Sequence, residues 1–247
     1  MATPRHLNNA PIREGLISLQ FDAVSLDAVK AFSEAIASGY SNALDIWSHA
    51  FELHIGGDLA PTKNERSANG RRFDSPREGP PHVVLAQRNS FTFSRLQPYD
   101  DWDDLRGSAL PLWNLFVEIA RPERVTRVAV RYINAMVLPL RPGEDFSKYL
   151  TASPQLPPEL PQDVTGFLQR VVTQDSKGNL AVVTQAFEGA EASGSAEITV
   201  IMDIDVFRNA HLRPEDAEVW SILDNLRHFK NNIFFAHLTE DAMELFQ

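Results

Sequence analysis

Hydrophobic and polar residues alternate along the first patterned segment of the chain. Within the run Ile12–Phe21, the apolar residues Ile17, Leu19 and Phe21 alternate with Leu16, Ser18 and Gln20, which predicts a strand with one buried face. Ser25 can cap a following helix whose apolar residues recur at intervals of three and four and which ends at Gly39. The run Asn42–Ile55 predicts a second strand, closed by two glycines.

The middle of the chain predicts a hairpin, a helix and a long strand. The hairpin is formed by His82–Arg88 and Ser90–Gln97, and the helix follows the acidic cluster Asp100–Asp104. In the run Val125–Leu138 one set of alternate residues is almost entirely apolar, and the other set mixes apolar residues with arginine. We therefore expect a central strand that is mostly covered on both faces.

The last third predicts three strands and a helix after a proline-rich segment. Residues 139–161 contain six prolines, which exclude regular structure there apart from a short turn at Asp145–Leu150. Three strand-like runs follow, and a helix begins near Pro214. Its apolar stripe contains Val219, Ile222, Leu223, Leu226, Phe229 and Ile233.

This order of elements predicts an α+β protein with antiparallel sheets and packed helices. We expect two associated lobes, residues 1–138 and 162–247, joined by a connector at residues 139–161. The order strand, helix, three strands and helix occurs twice, with a short helix in the second copy. This suggests a β-α-β-β-β-α pseudo-repeat.

Composition narrows the classes of function. The 247 residues carry a net charge of −10, which opposes general binding to nucleic acid. The absence of cysteine excludes disulfides, thiol nucleophiles and zinc sites built on thiolates. No signal peptide or membrane span is visible, so we expect a cytoplasmic protein without membrane contact. No phosphate loop, dinucleotide fingerprint or nucleophile elbow is found, so no cofactor is expected and an enzyme is not favoured.

Positive charge concentrates in two places. Residues 58–81 have the composition of a loop and contain Arg71 and Arg72, which could grip a phosphate or an acidic partner; the alternative is a solvated loop. In the last helix Arg227, Lys230 and Asn231 are expected on the polar side, as a partner-binding patch or as the positive charge that a helix C-terminus favours.

Two groups of polar residues fall within predicted strands. Arg131 must reach solvent, form an ion pair with an aspartate of another strand, or bind a ligand, and Asn134 raises a similar question on the opposite face. Asp203 and Asp205 share one strand face, where they could hold a divalent cation or simply be solvated.

Four segments together resemble a sporadically distributed, uncharacterised prokaryotic protein family of unknown function. They are Asn9-Ala10-Pro11-Ile12 with Glu14, Phe91-Thr92-Phe93-Ser94 leading to Pro98-Tyr99 and Trp102, Arg131-Tyr132-Ile133-Asn134, and Arg227-x-x-Lys230-Asn231-x-x-Phe234-Phe235. The resemblance covers nearly the whole chain and implies an accessory gene, associated with mobile elements or defence. It implies no activity, catalytic residue or cofactor.

Three hypotheses of function follow. The favoured one is a non-catalytic interaction protein, such as an antitoxin-like or defence-associated partner, acting through the basic loop and the last helix. The second is a binder of a small anionic ligand, held in the cleft between the lobes by Arg131, Arg71 and Arg72. The third is a metal-dependent hydrolase or nuclease built on the two aspartates. The apolar C-terminal tail is expected to dock on the body of the protein or on a second copy in a homodimer.

Overall fold

One antiparallel sheet organises the protein in a computed structural model that describes residues 2, 5–52, 63–76, 78–141, 144–188 and 197–247. These residues form nine strands and four α-helices, together with short 3₁₀ turns at Ala37–Gly39 and Phe146–Lys148. The elements in chain order are β1 (Ile12–Phe21), α1 (Leu26–Ile36), β2 (Asn42–Glu52), β3 (Lys63–Asp74), β4 (His82–Gln87), β5 (Ser90–Leu96), α2 (Trp102–Ala120), β6 (Val125–Leu138), β7 (Gly166–Gln174), β8 (Leu180–Glu188), β9 (Ile198–Leu212), α3 (Ala217–Ala236) and α4 (Glu240–Glu244). The predicted α+β class and the antiparallel pairing are confirmed.

The strand order is β2-β3-β4-β5-β1-β6-β9-β8-β7, with β1 and β6 side by side near the middle. Each of these two strands also pairs with the last strand of its own half, β1 with β5 and β6 with β9. This is the symmetry that the predicted pseudo-repeat requires, with one additional strand, β3, in the first half. Strands of both predicted lobes therefore belong to a single sheet.

The helices α1, α2 and α3 pack on one face of the sheet. Alternate residues of β1, β6 and β9 are buried there because the period of a strand is two. An aromatic cluster joins α1, α2 and the sheet, with ring centroids 5.2–6.2 Å apart. The cluster comprises Phe21, Phe32, Phe91, Trp113 and Phe116. Trp113 also donates a hydrogen bond from Nε1 to the carbonyl oxygen of Pro214, which ties α2 to the chain just before α3.

The opposite face of β6 is only partly covered, which is less than the sequence predicts for this strand. Arg127 and Arg131 lie on this second face and are half-exposed, and the side chain of Val137 is 48% exposed. The described helices all pack on the other side of the sheet, and polar side chains can reach solvent here. The mixed composition of this face, with arginine at alternate positions, was the signal for a half-open strand.

The predicted basic loop is a strand, and this expectation was also wrong. β3 begins at Lys63 and pairs with β2 and β4, so Arg71 and Arg72 extend from a strand near the edge of the sheet. β2 is the edge strand and β3 lies next to it; most of the described side chains of β3 are exposed or half-buried, so β3 needs few apolar residues and has the composition of a loop. The end of the predicted second strand, residues 53–55, and the two glycines predicted to close it lie outside the described residues.

Both ends of the chain pack against its body. The backbone nitrogen of Ala2 donates to the carbonyl oxygen of Leu238, and that of Asn9 donates to the carbonyl oxygen of Phe246. Phe234, Phe235 and Phe246 are buried, which confirms that the apolar tail docks on the body of the protein. None of the described helices combines the length and the apolar composition that a membrane-spanning helix requires.

We expect Gly70→Ala to destabilise the protein. A Cβ atom at this position would lie 2.3 Å from the carbonyl oxygen of Ala86 and 2.7 Å from Cα of Gln87, and both are backbone atoms of β4. The strands would have to separate, at a cost of about 1–3 kcal/mol in the free energy of unfolding. Urea denaturation measures this loss, with Gly39→Ala as the control because its Cβ would contact nothing. An unchanged midpoint in Gly70→Ala would contradict the described β3–β4 register.

Candidate functional site

An open pocket of about 870 Å³ lies beside the C-terminal half of α3. Its other walls come from the N-terminal segment 5–12, the connection between β5 and α2, and the helix-covered face of β6. The side chains that matter for its chemistry are Tyr99, Tyr132, Asn134, Arg227, Lys230 and Asn231. The first and last parts of the chain both contribute, so the pocket lies between the two predicted lobes.

Lys230 is buried in the wall of this pocket and is only 7% exposed. Its Nζ atom lies 3.7 Å from the centre of the Tyr132 ring, in a cation–π contact. Among the described residues no carboxylate forms an ion pair with Lys230. Burial, together with the nearby charge of Arg227, lowers the pKa of Lys230 to about 7.

The expectation that Lys230 lies on the polar side of the last helix was wrong. It follows Leu226 by four residues and precedes Ile233 by three, so it falls within the apolar stripe that packs on the sheet. Phe229, which the sequence analysis had placed in that stripe, is only half-buried. The spacing alone could have shown that a lysine occupies a core position.

Two tyrosines form the floor of the pocket. The hydroxyl oxygens of Tyr99 and Tyr132 are 2.6 Å apart, and the rings meet edge to face at 5.4 Å. Gly15 of β1 makes room for them, because a Cβ atom there would lie 2.8 Å from Tyr132 Cε1 and 2.9 Å from Tyr99 Cε2. Burial raises the pKa of Tyr99 to about 12 and that of Tyr132 well above its ordinary value, so both phenols keep their protons.

The tyrosine pair has one hydrogen-bond donor left over. Two phenols carry two protons, and only one of them lies between the two oxygens. No other hydrogen bond joins either hydroxyl group to the described part of the chain. The second proton is therefore available to an acceptor in the pocket or to water.

Arg227 adds a second positive charge one helical turn before Lys230. It is half-buried, and no ion pair links it to a carboxylate of the described ranges. Arg5, at the rim of the pocket, differs because it binds Glu240 at 2.7 Å. The pocket's own carboxylates, Asp100 and Asp101, are exposed at the rim, and Asp101 caps α2 by accepting a hydrogen bond from the backbone nitrogen of Asp104 at 2.8 Å.

Asn134 and Asn231 complete the polar lining. Asn134 is buried, and its Nδ2 donates to the carbonyl oxygen of Met202 at 3.0 Å. That bond fixes the amide next to the pocket floor, on the same face of β6 as Tyr132. Asn231 is half-buried on α3 beside Lys230. Four residues predicted as candidates from the sequence, Asn134, Arg227, Lys230 and Asn231, thus line one pocket.

The remaining predicted residues lie elsewhere and bind carboxylates of the same chain. Arg71 pairs with Asp45 at 3.0 Å, and Arg72 pairs with Asp74 at 2.8 Å. Arg131 holds both carboxylate oxygens of Asp203, at 2.8 and 2.6 Å, on the half-open face of the sheet. The structure thus shows the predicted ion pair between Arg131 and an aspartate of another strand, so Arg131 cannot anchor a ligand in this pocket.

Asp203 and Asp205 lie together on that half-open face, and each accepts a hydrogen bond from an arginine. Asp205 binds Arg127 at 2.8 Å, and the Arg127 guanidinium also lies 4.0 Å from the centre of the Phe207 ring. The described residues contain no group of three or more histidine, aspartate or glutamate side chains placed to hold a metal ion.

The segments that carry the sequence resemblance converge on the pocket. Each of the four supplies lining residues, among them Asn9, Tyr99, Tyr132 and Lys230. The two tyrosines had appeared only as parts of these segments and not as candidate site residues. No protein-family model matches the chain, and no curated protein matches it either. The resemblance to a family of unknown function stays a prediction.

We expect Lys230→Met to stabilise the protein in a pH-dependent way. Between pH 7 and about 10.5 the unfolded chain keeps a proton on Lys230 that the folded chain has released, so native stability rises with pH in this window. A methionine at this position does not titrate, so it contributes no pH dependence to the stability. The gain of the variant should be largest below pH 7 and should fall by several kcal/mol towards pH 10.5, because each unit of pKa corresponds to about 1.4 kcal/mol.

Denaturation midpoints at several pH values test this expectation. Lys30→Met, which changes an exposed lysine of α1, is the matched control and should show no such trend. Other titrating groups are common to the variant and the parent and cancel in the difference. A stability difference that does not vary with pH would show that the Lys230 ammonium is not penalised by burial.

Proposed function

We propose that this protein binds a small anionic ligand in the pocket lined by Lys230, Arg227 and the tyrosine pair. The observation that carries the proposal is the buried Lys230, a cation with no carboxylate partner among the described residues. Burying an unpaired ammonium destabilises a fold, whereas an apolar residue in the same stripe would stabilise it. An anion that enters the pocket would supply the missing partner.

The hydrogen-bonding groups of the pocket support the same ligand chemistry. Lys230, Arg227 and the spare phenolic proton are all donors, and they line the same pocket, the two cations from α3 and the phenols from the tyrosine pair. A carboxylate or phosphate group offers only acceptors and accepts charge-assisted bonds from such groups. The exposed carboxylates at the rim would disfavour an anion with charge spread over its whole length. The pocket volume of about 870 Å³ is within the usual range for small-molecule sites.

This proposal keeps the ligand hypothesis of the sequence analysis but replaces its anchors. Arg71, Arg72 and Arg131 bind carboxylates of their own chain. Arg227 and Lys230 are the lysine and arginine side chains of the pocket that have no carboxylate partner among the described residues. The location between the two predicted lobes is unchanged.

The interaction hypothesis stays a prediction with weaker support. Its two surfaces were the basic loop and the exposed side of the last helix. Arg71 and Arg72 lie in a strand and form ion pairs with aspartates of the same chain, and Lys230 is buried. Nothing in the described residues favours a protein partner over a small ligand, and the same holds for an antitoxin-like or defence role.

We expect benzoate and inorganic phosphate to be the simplest probes of this site. An anion that binds only the folded protein, at 100 times its dissociation constant, adds about 2.7 kcal/mol to the free energy of unfolding and raises the melting temperature by several degrees. At least one of the two probes should do so. Lys230→Met and Arg227→Leu should each weaken the apparent affinity by at least ~10-fold, because each removes a charge that faces the ligand.

Two matched variants control for the loss of positive charge alone. Lys30→Met and Arg213→Leu remove exposed cations of the same types outside the pocket, and both should keep the parent's affinity. An equal loss of affinity in all four variants would indicate general electrostatic attraction and would contradict a site at Lys230. No stabilisation by any small anion, including aromatic and aliphatic carboxylates, would overturn the proposal.

A further inference from the structure

We propose that Nζ of Lys230 forms a reversible imine with an aldehyde or ketone that carries an anionic group, held beside Arg227. The inference rests on the proposed function, because the anionic group is what brings the carbonyl compound to the pocket. It goes further by assigning a covalent role to the lysine and a carbonyl group to the ligand.

The first argument is the position of the amine. Lys230 lines the pocket and points across the Tyr132 ring, with Nζ 3.7 Å from the ring centre. An ion pair with a carboxylate would keep the amine protonated, and the described residues provide none. Nζ lies over the ring face, and no acceptor of the described ranges forms a hydrogen bond with it that would compete with a ligand.

The second argument is the electrostatic environment of the amine. Arg227 lies one turn away on α3, and Tyr132 of β6 and Tyr99 face the same space as neutral phenols. The exposed Asp101 is already engaged at the start of α2. Burial and the arginine charge both disfavour the ammonium form, so a substantial fraction of Lys230 is the free amine near neutral pH. Desolvation and a neighbouring cation are the two known ways to make a lysine nucleophilic.

The third argument is the proton donor that imine formation needs. The nitrogen lone pair attacks the carbonyl carbon, and the carbonyl oxygen takes a proton from the Tyr99–Tyr132 pair to give a carbinolamine. The carbinolamine then expels water, and the carbon–nitrogen double bond forms. The phenolate recovers a proton from the nitrogen of the adduct, and the second hydrogen of the amine leaves together with the hydroxyl group. The two hydrogens of the amine and the former carbonyl oxygen are thus released as water. The step consumes no oxidant or reductant.

Reductive trapping tests the inference with 4-carboxybenzaldehyde as the probe. The full-length protein is incubated with the aldehyde and cyanoborohydride at pH 7, and the adduct is located by mass spectrometry of peptides. The chain has five lysines, of which Lys230 should carry the adduct in at least ~10-fold excess over each of the others. An ordinary lysine, with a pKa near 10.4, has fewer than about one amine in a thousand unprotonated at this pH.

Matched variants and a competitor separate specific from general labelling. Lys230→Met should lose the selective adduct and retain only background on the remaining amines, whereas Lys30→Met should keep it. Arg227→Leu should slow trapping, because less of the aldehyde is bound in the pocket at a given concentration. Benzoate, which has the carboxylate but no aldehyde group, should protect Lys230.

The outcomes distinguish the imine from simple binding. If benzoate and the aldehyde both raise the melting temperature but no adduct forms at Lys230, or adducts are spread evenly over the lysines, the imine is overturned and anion binding stands. If neither compound stabilises the protein and Lys230 is not labelled, both proposals fail. Selective trapping that benzoate blocks supports both.

Discussion

A buried ammonium group packed on a phenol ring is the constraint around which the candidate site is arranged. Lys230 occupies a core position of α3, where an apolar side chain would complete the stripe that packs on the sheet. The cost of burying its charge is reduced by the Tyr132 ring and by loss of the proton. A protein that retains such a residue at a core position sacrifices stability there, and functional sites are where such sacrifices concentrate.

The symmetry of the sheet explains how distant parts of the chain meet at this residue. β1 and β6 lie side by side, which puts Gly15 directly opposite Tyr132 and leaves space above the glycine for two aromatic rings. The connection from β5 to α2 brings Tyr99 over the same place, and α3, which follows β9, brings Lys230. The pocket thus lies where β1 and β6 meet near the middle of the sheet and is closed by α3 and by the connection before α2.

The sequence predicted the elements better than it predicted their surroundings. Period-two and period-3.6 patterns located β1, β6, α2 and α3 because burial on one face leaves a periodic trace. β3 was missed because most of its described side chains are exposed or half-buried, so it shows no continuous apolar face, and its polar and glycine-containing sequence has the composition of a loop. For Arg131 the sequence left solvent, an ion pair and a ligand open, and the structure shows the ion pair, with Asp203 of the neighbouring strand β9.

The site was only half predictable for a related reason. Asn134, Arg227, Lys230 and Asn231 could be selected by residue type and position, but pattern reasoning assigned the charges of α3 to solvent. Whether a lysine at a core spacing turns outward or lies across an aromatic ring depends on what the sheet presents to it. Tyr132 and Gly15 provide that surface from strands about 100 and 215 residues earlier in the chain. Tertiary contacts of this kind decide the environment of an ionisable group, and through it the chemistry that the group can perform.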